Sequence, residues 1–171
     1  MNFDLRLTPK GLLYRGKRFP CSIGRTGLVH TKQEGDGATP IADLRIVDML
    51  YRPDRIRRPC AWAKKIGPND LWSDDQNSEN YNQLVKGPYA FSHERLSRSD
   101  PMYDIILVTD WNYPDAIAGM GSAIFIHQWR KPGYPTAGCI ALSRKHLWYI
   151  ATTLRFGATV QLTANNPARQ K

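Results

Sequence analysis

In GSAIFIHQWRKPGYPTAGCIAL, residues 121–142, the run Ala123-Ile124-Phe125-Ile126-His127 is apolar almost throughout and has no polar alternation. A short, unbroken run rich in branched and aromatic residues reads as a central strand covered on both faces. Pro132, Gly133 and Pro135 then break the pattern, and Gly138-Cys139 leads into a second apolar stretch, so the segment is two strands joined by a turn-rich loop.

The same grammar extends outward. Residues 103–109, bounded by Pro101 and Asn112, form another buried strand, and residues 41–51 carry the apolar content of a further one. Residues 3–23 alternate in short pieces between Pro9, Lys10, Gly11 and Gly16, as a β-meander with a hairpin does. Residues 24–40, with four glycines, read as loop. Ser143 stands ahead of Leu147, Ile150, Ala151 and Leu154, the stripe of one amphipathic helix, with Gly157 placed to stop it and residues 158–163 as a last strand. Between residues 52 and 82 the pattern dissolves among Pro53, Pro59, Pro68, Trp62 and Trp72. A long aperiodic stretch of this kind is expected to be a lid or substrate-facing insertion, or else a loop packed down by its tryptophans. Many short strands and one helix near the C-terminus predict a mainly β domain, a sandwich or barrel, rather than alternating βαβ units. The 171 residues fit one domain, spanning 1–171, able to bury roughly 70% of its unfolded surface.

Hydrophobic residues at 42% and charged residues at 23% exclude a disordered or fibrous chain. The net charge of +9 is interleaved: Arg52, Arg55, Arg57 and Arg58 are soon followed by Asp70, Asp74 and Asp75. It favours an anionic partner or simply solubility. Charges at Asp4, Arg6 and Lys10 leave neither a signal-peptide core nor a membrane span visible. The cysteines Cys21, Cys60 and Cys139 cannot all pair, and no Cys/His spacing suggests zinc. Asp74, Asp75, Asn80, Tyr81 and Asn82 read as a turn rather than a cation site, and no metal is assigned.

The chemistry-bearing pair is His127, at the mouth of a strand, and Cys139, returned by a short loop. A free thiol is only a few per cent thiolate near neutral pH, and a neighbouring imidazole lifts that limit by taking the proton. Gly138 permits close backbone approach, and the amides of Gly138 and Cys139 can face a developing oxyanion. The group that orients the imidazole is either a backbone carbonyl or a loop side chain. Taken singly, a buried cysteine is more often a small core residue and a strand histidine more often structural. Cys21, Cys60, His30, His93 and His146 keep that structural reading.

The run from Ile126 through Leu142 resembles the active-site signature of the L,D-transpeptidase catalytic domain, or YkuD domain, with Thr136, Gly138 and Cys139 at the matching positions. GDGATP at residues 35–40 resembles the stretch at which many members of that family enter the domain, and GSAIF before His127 is similar to a form found in a compact bacterial branch. The resemblance implies a β-sandwich-like catalytic domain that uses no metal or organic cofactor. Cys139 would attack the carbonyl of the third residue of a peptidoglycan stem tetrapeptide, meso-diaminopimelate, and release the terminal D-alanine. The acyl group then passes to an amine of another stem, to a free D-amino acid or to water. By the same resemblance His127 is the base, the Gly138 and Cys139 amides form the oxyanion site, and the location is the periplasm or cell envelope. Ala137 and Ala141 stand where the family usually carries histidine and arginine, and Arg130 or Lys131 is the expected replacement cation. Tyr134, Thr136, Arg130 and Asn112 are the expected substrate-binding residues, with Tyr103 a further cleft candidate. Two rivals are a catalytically silent wall- or glycan-binding module, and a nucleic-acid-binding domain stacking bases on Trp62, Trp72, Trp111 and Trp129. No nucleic-acid motif supports the last.

Overall fold

The computed structural model describes residues 3–163. The first four strands are β1 (Leu5–Thr8), β2 (Gly11–Tyr14), β3 (Lys17–Phe19) and β4 (Cys21–Ser22). A small parallel pair, β5 (Leu28–Val29) and β6 (Thr39–Pro40), precedes the longest strand, β7 (Ala42–Tyr51). Then follow β8 (Lys64–Lys65), β9 (Asp70–Ser73), β10 (Leu84–Lys86), β11 (His93–Arg95), β12 (Ile105–Thr109), β13 (Phe125–Gln128), β14 (Ile140–Leu142), the helix α1 (Arg144–Thr153) and β15 (Thr159–Leu162). The fold is mainly β with one helix near the C-terminus, as the sequence predicts. Residues 1–2 and 164–171, the ends of the expected single domain, lie outside the described residues.

The principal sheet runs β3-β2-β1-β15-β7-β12-β13-β14-β4, with β8 added beside β7. Its two ends, β3 and β4, are separated in sequence by Pro20 alone. A sheet whose first and last strands are joined by one residue has to curl until its ends meet, which gives the sandwich-like form. Apolar cover lies on both faces, so β12 is buried at every position. Ile105 and Leu107 point into one core with Ile126, Ile140, Leu142 and the helix residues Leu147, Ile150 and Ala151. Ile106 and Val108 point into the other with Phe125, Trp72 and Tyr103. Each large aliphatic side chain buried this way contributes about 1.5–3 kcal/mol.

Ser143 caps α1, its hydroxyl accepting from the His146 amide at 3.3 Å. The helix ends at Thr153 because Leu154 is already extended (φ −78°, ψ 137°). Gly157, expected as the stop, lies three residues further on at φ 73° and turns the chain into β15.

The segment read as aperiodic is more structured than expected. It contributes β8 and β9, and β9 is the centre of a second sheet, β10-β9-β11. Trp72 is buried there and its Nε1 donates to Asn82 Oδ1 at 2.9 Å. Trp62 packs edge-on against Phe156. Of the two readings of this stretch, packing by tryptophans describes the observed structure. Trp72 is buried, Trp62, Trp111 and Trp129 are half-buried, and Trp129 lines the cleft beside Cys139.

Candidate active site

Cys139 is placed by a tight loop braced from two sides. Thr136 Oγ1 accepts from the Gly138 amide (3.1 Å) and donates to the Cys139 carbonyl (2.6 Å). Thr39 Oγ1, from the GDGATP stretch, donates to the Gly138 carbonyl (2.6 Å). Gly138 sits at φ 151°, and a Cβ there would lie 2.8 Å from the Ala38 carbonyl oxygen. Glycine is therefore required by the approach of Ala38, where the sequence suggested the approach of a substrate. The Gly138 amide is occupied by Thr136, whereas the Cys139 amide has no acceptor among the described residues.

The sulfur of the half-buried Cys139 donates to the Ala123 carbonyl (3.0 Å) and receives the Phe125 amide (3.4 Å). Burial first, and the Glu94 carboxyl second, push the thiol up to about 12. Ala123 itself is held at φ 47°, a conformation alanine rarely adopts. Its amide donates to Asn82 Oδ1 (2.9 Å). Asn82, 1% exposed and at φ 57°, also donates to the carbonyls of Trp111 (3.2 Å) and Asn112 (2.5 Å). The segment is a turn, as expected, with Asn80 exposed, but its last member, Asn82, is a buried polar hub.

The parallel pairing of β13 with β14 sets Ile126 beside Ile140 and His127 beside Ala141. Residues two apart on a strand share a face; Cys139 packs on the Phe125 side of the sheet, which is also the side of His127, and both side chains line one cleft. His127 Nδ1 lies 2.8 Å from the Gln128 carbonyl. A carbonyl only accepts, so Nδ1 carries the hydrogen and Nε2 keeps its lone pair. The orienting group left open by the sequence is thus a backbone carbonyl. Burial holds the imidazole down at about 4, and it is neutral at pH 7. At rest the two side chains bond to backbone rather than to each other, so the pair is neutral thiol and neutral imidazole.

Both line a cleft of about 510 Å³. Of the expected substrate-binding residues, Thr136, Tyr134 and Arg130 line it too, as does Tyr103. Asn112 is not among its walls: its side chain closes its own loop through Ile117 and the Gly121 carbonyl. Arg130 is in the cleft beside Ala137 and Ala141, while Lys131 stands over the Tyr134 ring. Three further charged walls escape sequence reading: Arg25, Arg98 and Glu94. Arg98 lies over the Tyr103 ring and is gripped by Asp100 through Nε (3.0 Å) and Nη2 (2.6 Å). The Tyr103 hydroxyl donates to Glu94 Oε2. Burial raises the pKa of both, that of Tyr103 well above the phenol range. A second cavity, of about 520 Å³, lies across β12 and β13 beside Leu147 and Trp148, away from the cysteine.

Cys21 and Cys60 are free and half-buried; burial pushes Cys21 up to about 11, and Cys60 Sγ rests 3.6 Å from Met49 Sδ. Among the described residues no group of His, Cys, Asp or Glu is arranged to hold a metal, and no helix is long and apolar enough to cross a membrane. No curated protein and no solved structure gives a significant match to the sequence. The L,D-transpeptidase catalytic domain family (YkuD) matches residues 7–162, nearly the whole chain, in agreement with the β architecture. By that match the chain belongs to the L,D-transpeptidase catalytic domain family, whose activity is directed at peptidoglycan.

Proposed function

We propose that the protein is a cysteine acyltransferase acting on peptidoglycan stem tetrapeptides in the cell envelope. The observation that carries this reading is that Cys139 and His127 share one sheet face and one cleft, with the lone pair of Nε2 left free by the Gln128 carbonyl. When a donor carbonyl enters, the thiol proton leaves the Ala123 carbonyl for Nε2 as sulfur attacks carbon. The oxyanion takes the unclaimed Cys139 amide, a donor typically worth about 3 kcal/mol in the transition state. His127 then protonates the departing D-alanine nitrogen as the carbon–nitrogen bond breaks, leaving a thioester on Cys139. An incoming amine, or water, reverses these steps.

Because the resting pair is neutral, His127 acts as a general base during attack and not as the partner of a stored thiolate. Arg25 and Arg130 supply positive charge for the donor's carboxylates, in place of the cation lost at Ala141. Incubation with labelled disaccharide tetrapeptide should give a Cys139 mass adduct and released D-alanine, both absent in Cys139→Ala. Turnover surviving that substitution would refute the assignment. Added D-methionine, with products resolved by mass, separates exchange, cross-linking and hydrolysis.

A further inference from the structure

We propose that Glu94 is the seat for the ammonium group of the acyl acceptor, and that it sets the choice between amine and water at the thioester. The inference rests on Cys139 being the acylated nucleophile. β11 delivers Glu94 into the wall of the same cleft. One oxygen, Oε2, accepts from Tyr103; the other, Oε1, has no hydrogen-bond partner among the described residues. Among the described residues the buried side-chain polar atoms left without a partner are Ser22 Oγ, Asp74 Oδ1 and His146 Nδ1. Oε1 is not one of them, so it keeps contact with solvent and opens on the cleft.

Three arguments make this oxygen a cation seat. Glu94 is half-buried and has no ion-pair partner among the described residues: Arg98, whose charge it feels, is ion-paired with Asp100. A partly desolvated carboxylate without a counter-charge is costly, and a cationic ligand removes that cost. Second, a negative charge beside Cys139 opposes formation of a thiolate, which is hard to reconcile with the chemistry unless substrate brings the compensating charge. Third, the Tyr103 ring that binds Glu94 stands edge-on to His127, with centroids 5.3 Å apart. The carboxylate therefore lies one tyrosine away from the base that an acceptor nitrogen has to reach, in the same cleft, which favours the acceptor over the donor as its ligand.

An alkyl amine arrives protonated at neutral pH. On Glu94 it gives one proton to the carboxylate, and the neutral nitrogen attacks the thioester carbonyl. As the new carbon–nitrogen bond forms and the carbon–sulfur bond breaks, the second proton passes through His127 Nε2 to sulfur. The products are the amide and the free thiol, and Glu94 returns its proton to solvent. Water carries no charge and gains nothing from this seat.

The test separates the half-reactions in Glu94→Gln, which keeps an oxygen for Tyr103 and removes the charge. Thioester formation from the tetrapeptide, followed by intact mass without acceptor, should be faster than in wild type. The concentration of a diaminopimelate stem acceptor that gives equal aminolysis and hydrolysis should rise at least about tenfold. An unchanged partition, or equal loss of both half-reactions as a purely structural role would give, overturns the proposal. In wild type, a dimethyl-lysine peptide, cationic but unable to form a stable amide, should compete with the acceptor, and its norleucine counterpart should not. Equal competition by the two, or none by either, also overturns it, whether or not the variant folds. Absence of any thioester in wild type would sink the Cys139 reading, and this inference with it.

Discussion

Replacing Cys21 and Cys60 by serine leaves Cys139 as the sole thiol, and its alkylation by iodoacetamide from about pH 6 to pH 10 then tests whether a neutral pair is the resting state. Relative to a thiol of pKa 9.0, one pushed up to about 12 holds about a thousandfold less thiolate near neutrality. The more basic thiolate is intrinsically more nucleophilic, and a Brønsted slope of about 0.4–0.5 returns a factor of roughly 16–30. Cys139 should therefore react about 30- to 60-fold more slowly than a free-thiol peptide at pH 7, with steric shielding adding to the deficit. The rate should climb with pH across the whole range without levelling. A plateau below pH 8, or a rate at pH 7 equal to the peptide's, would show a stored thiolate–imidazolium pair and refute the general-base argument.

His127 gives a second test. Its pKa falls from 6.5 to about 4 on folding, so the unfolded chain takes up the proton first. The stability tied to a neutral, buried imidazole is present above pH 6.5 and is lost as pH falls from there towards 4, amounting to about 3 kcal/mol. Urea unfolding at pH 7 and pH 4 should show a decline smaller by about that amount in His127→Asn, and parallel declines would contradict the assignment. Asn82→Ala strands four partners, two buried and two half-buried, and leaves alanine at φ 57°, so at least about 3 kcal/mol should be lost, or roughly 6–12 °C in Tm, with slower acylation of Cys139. A melting point within about 2 °C of wild type would show that Asn82 is no such hub.

The parts of this fold that speak in the sequence are those whose environment is uniform along several residues. β12, β13 and α1 each have one, and the Cys139–His127 pair is legible because both lie on or beside such strands. β9 is not: Asp70-Leu71-Trp72-Ser73 is buried at every position, yet two of its four residues are polar, Asp70 satisfied by the nearby Gly67 amide and by Lys86, and Ser73 by Tyr89 sixteen residues on. Glu94 belongs to a strand with no apolar residue, and its significance comes from Tyr103, nine residues on in another element, and from Cys139, far away in the chain. Asn82 looks like any turn asparagine until Trp72 and Ala123 are folded onto it. Asn112 was expected in the cleft because it follows a strand end, but an amide that can close its own loop needs no outside partner.

The curled sheet has a consequence for how substrate is read. β14 is flanked by β13 on one side and by β4 on the other, and beyond β4 the chain continues the cover, with the Arg25 amide donating to Thr136 and the Thr136 amide to Ile23. Among the described residues the principal sheet has no free edge beside the nucleophile, so a stem peptide would not dock there by extending it; the edge strand that borders the cleft is β11, in the second sheet. On the Cys139 side of the opening a ligand would meet side chains rather than a strand edge, with Arg25, Arg130 and Glu94 fixing where its charges can sit.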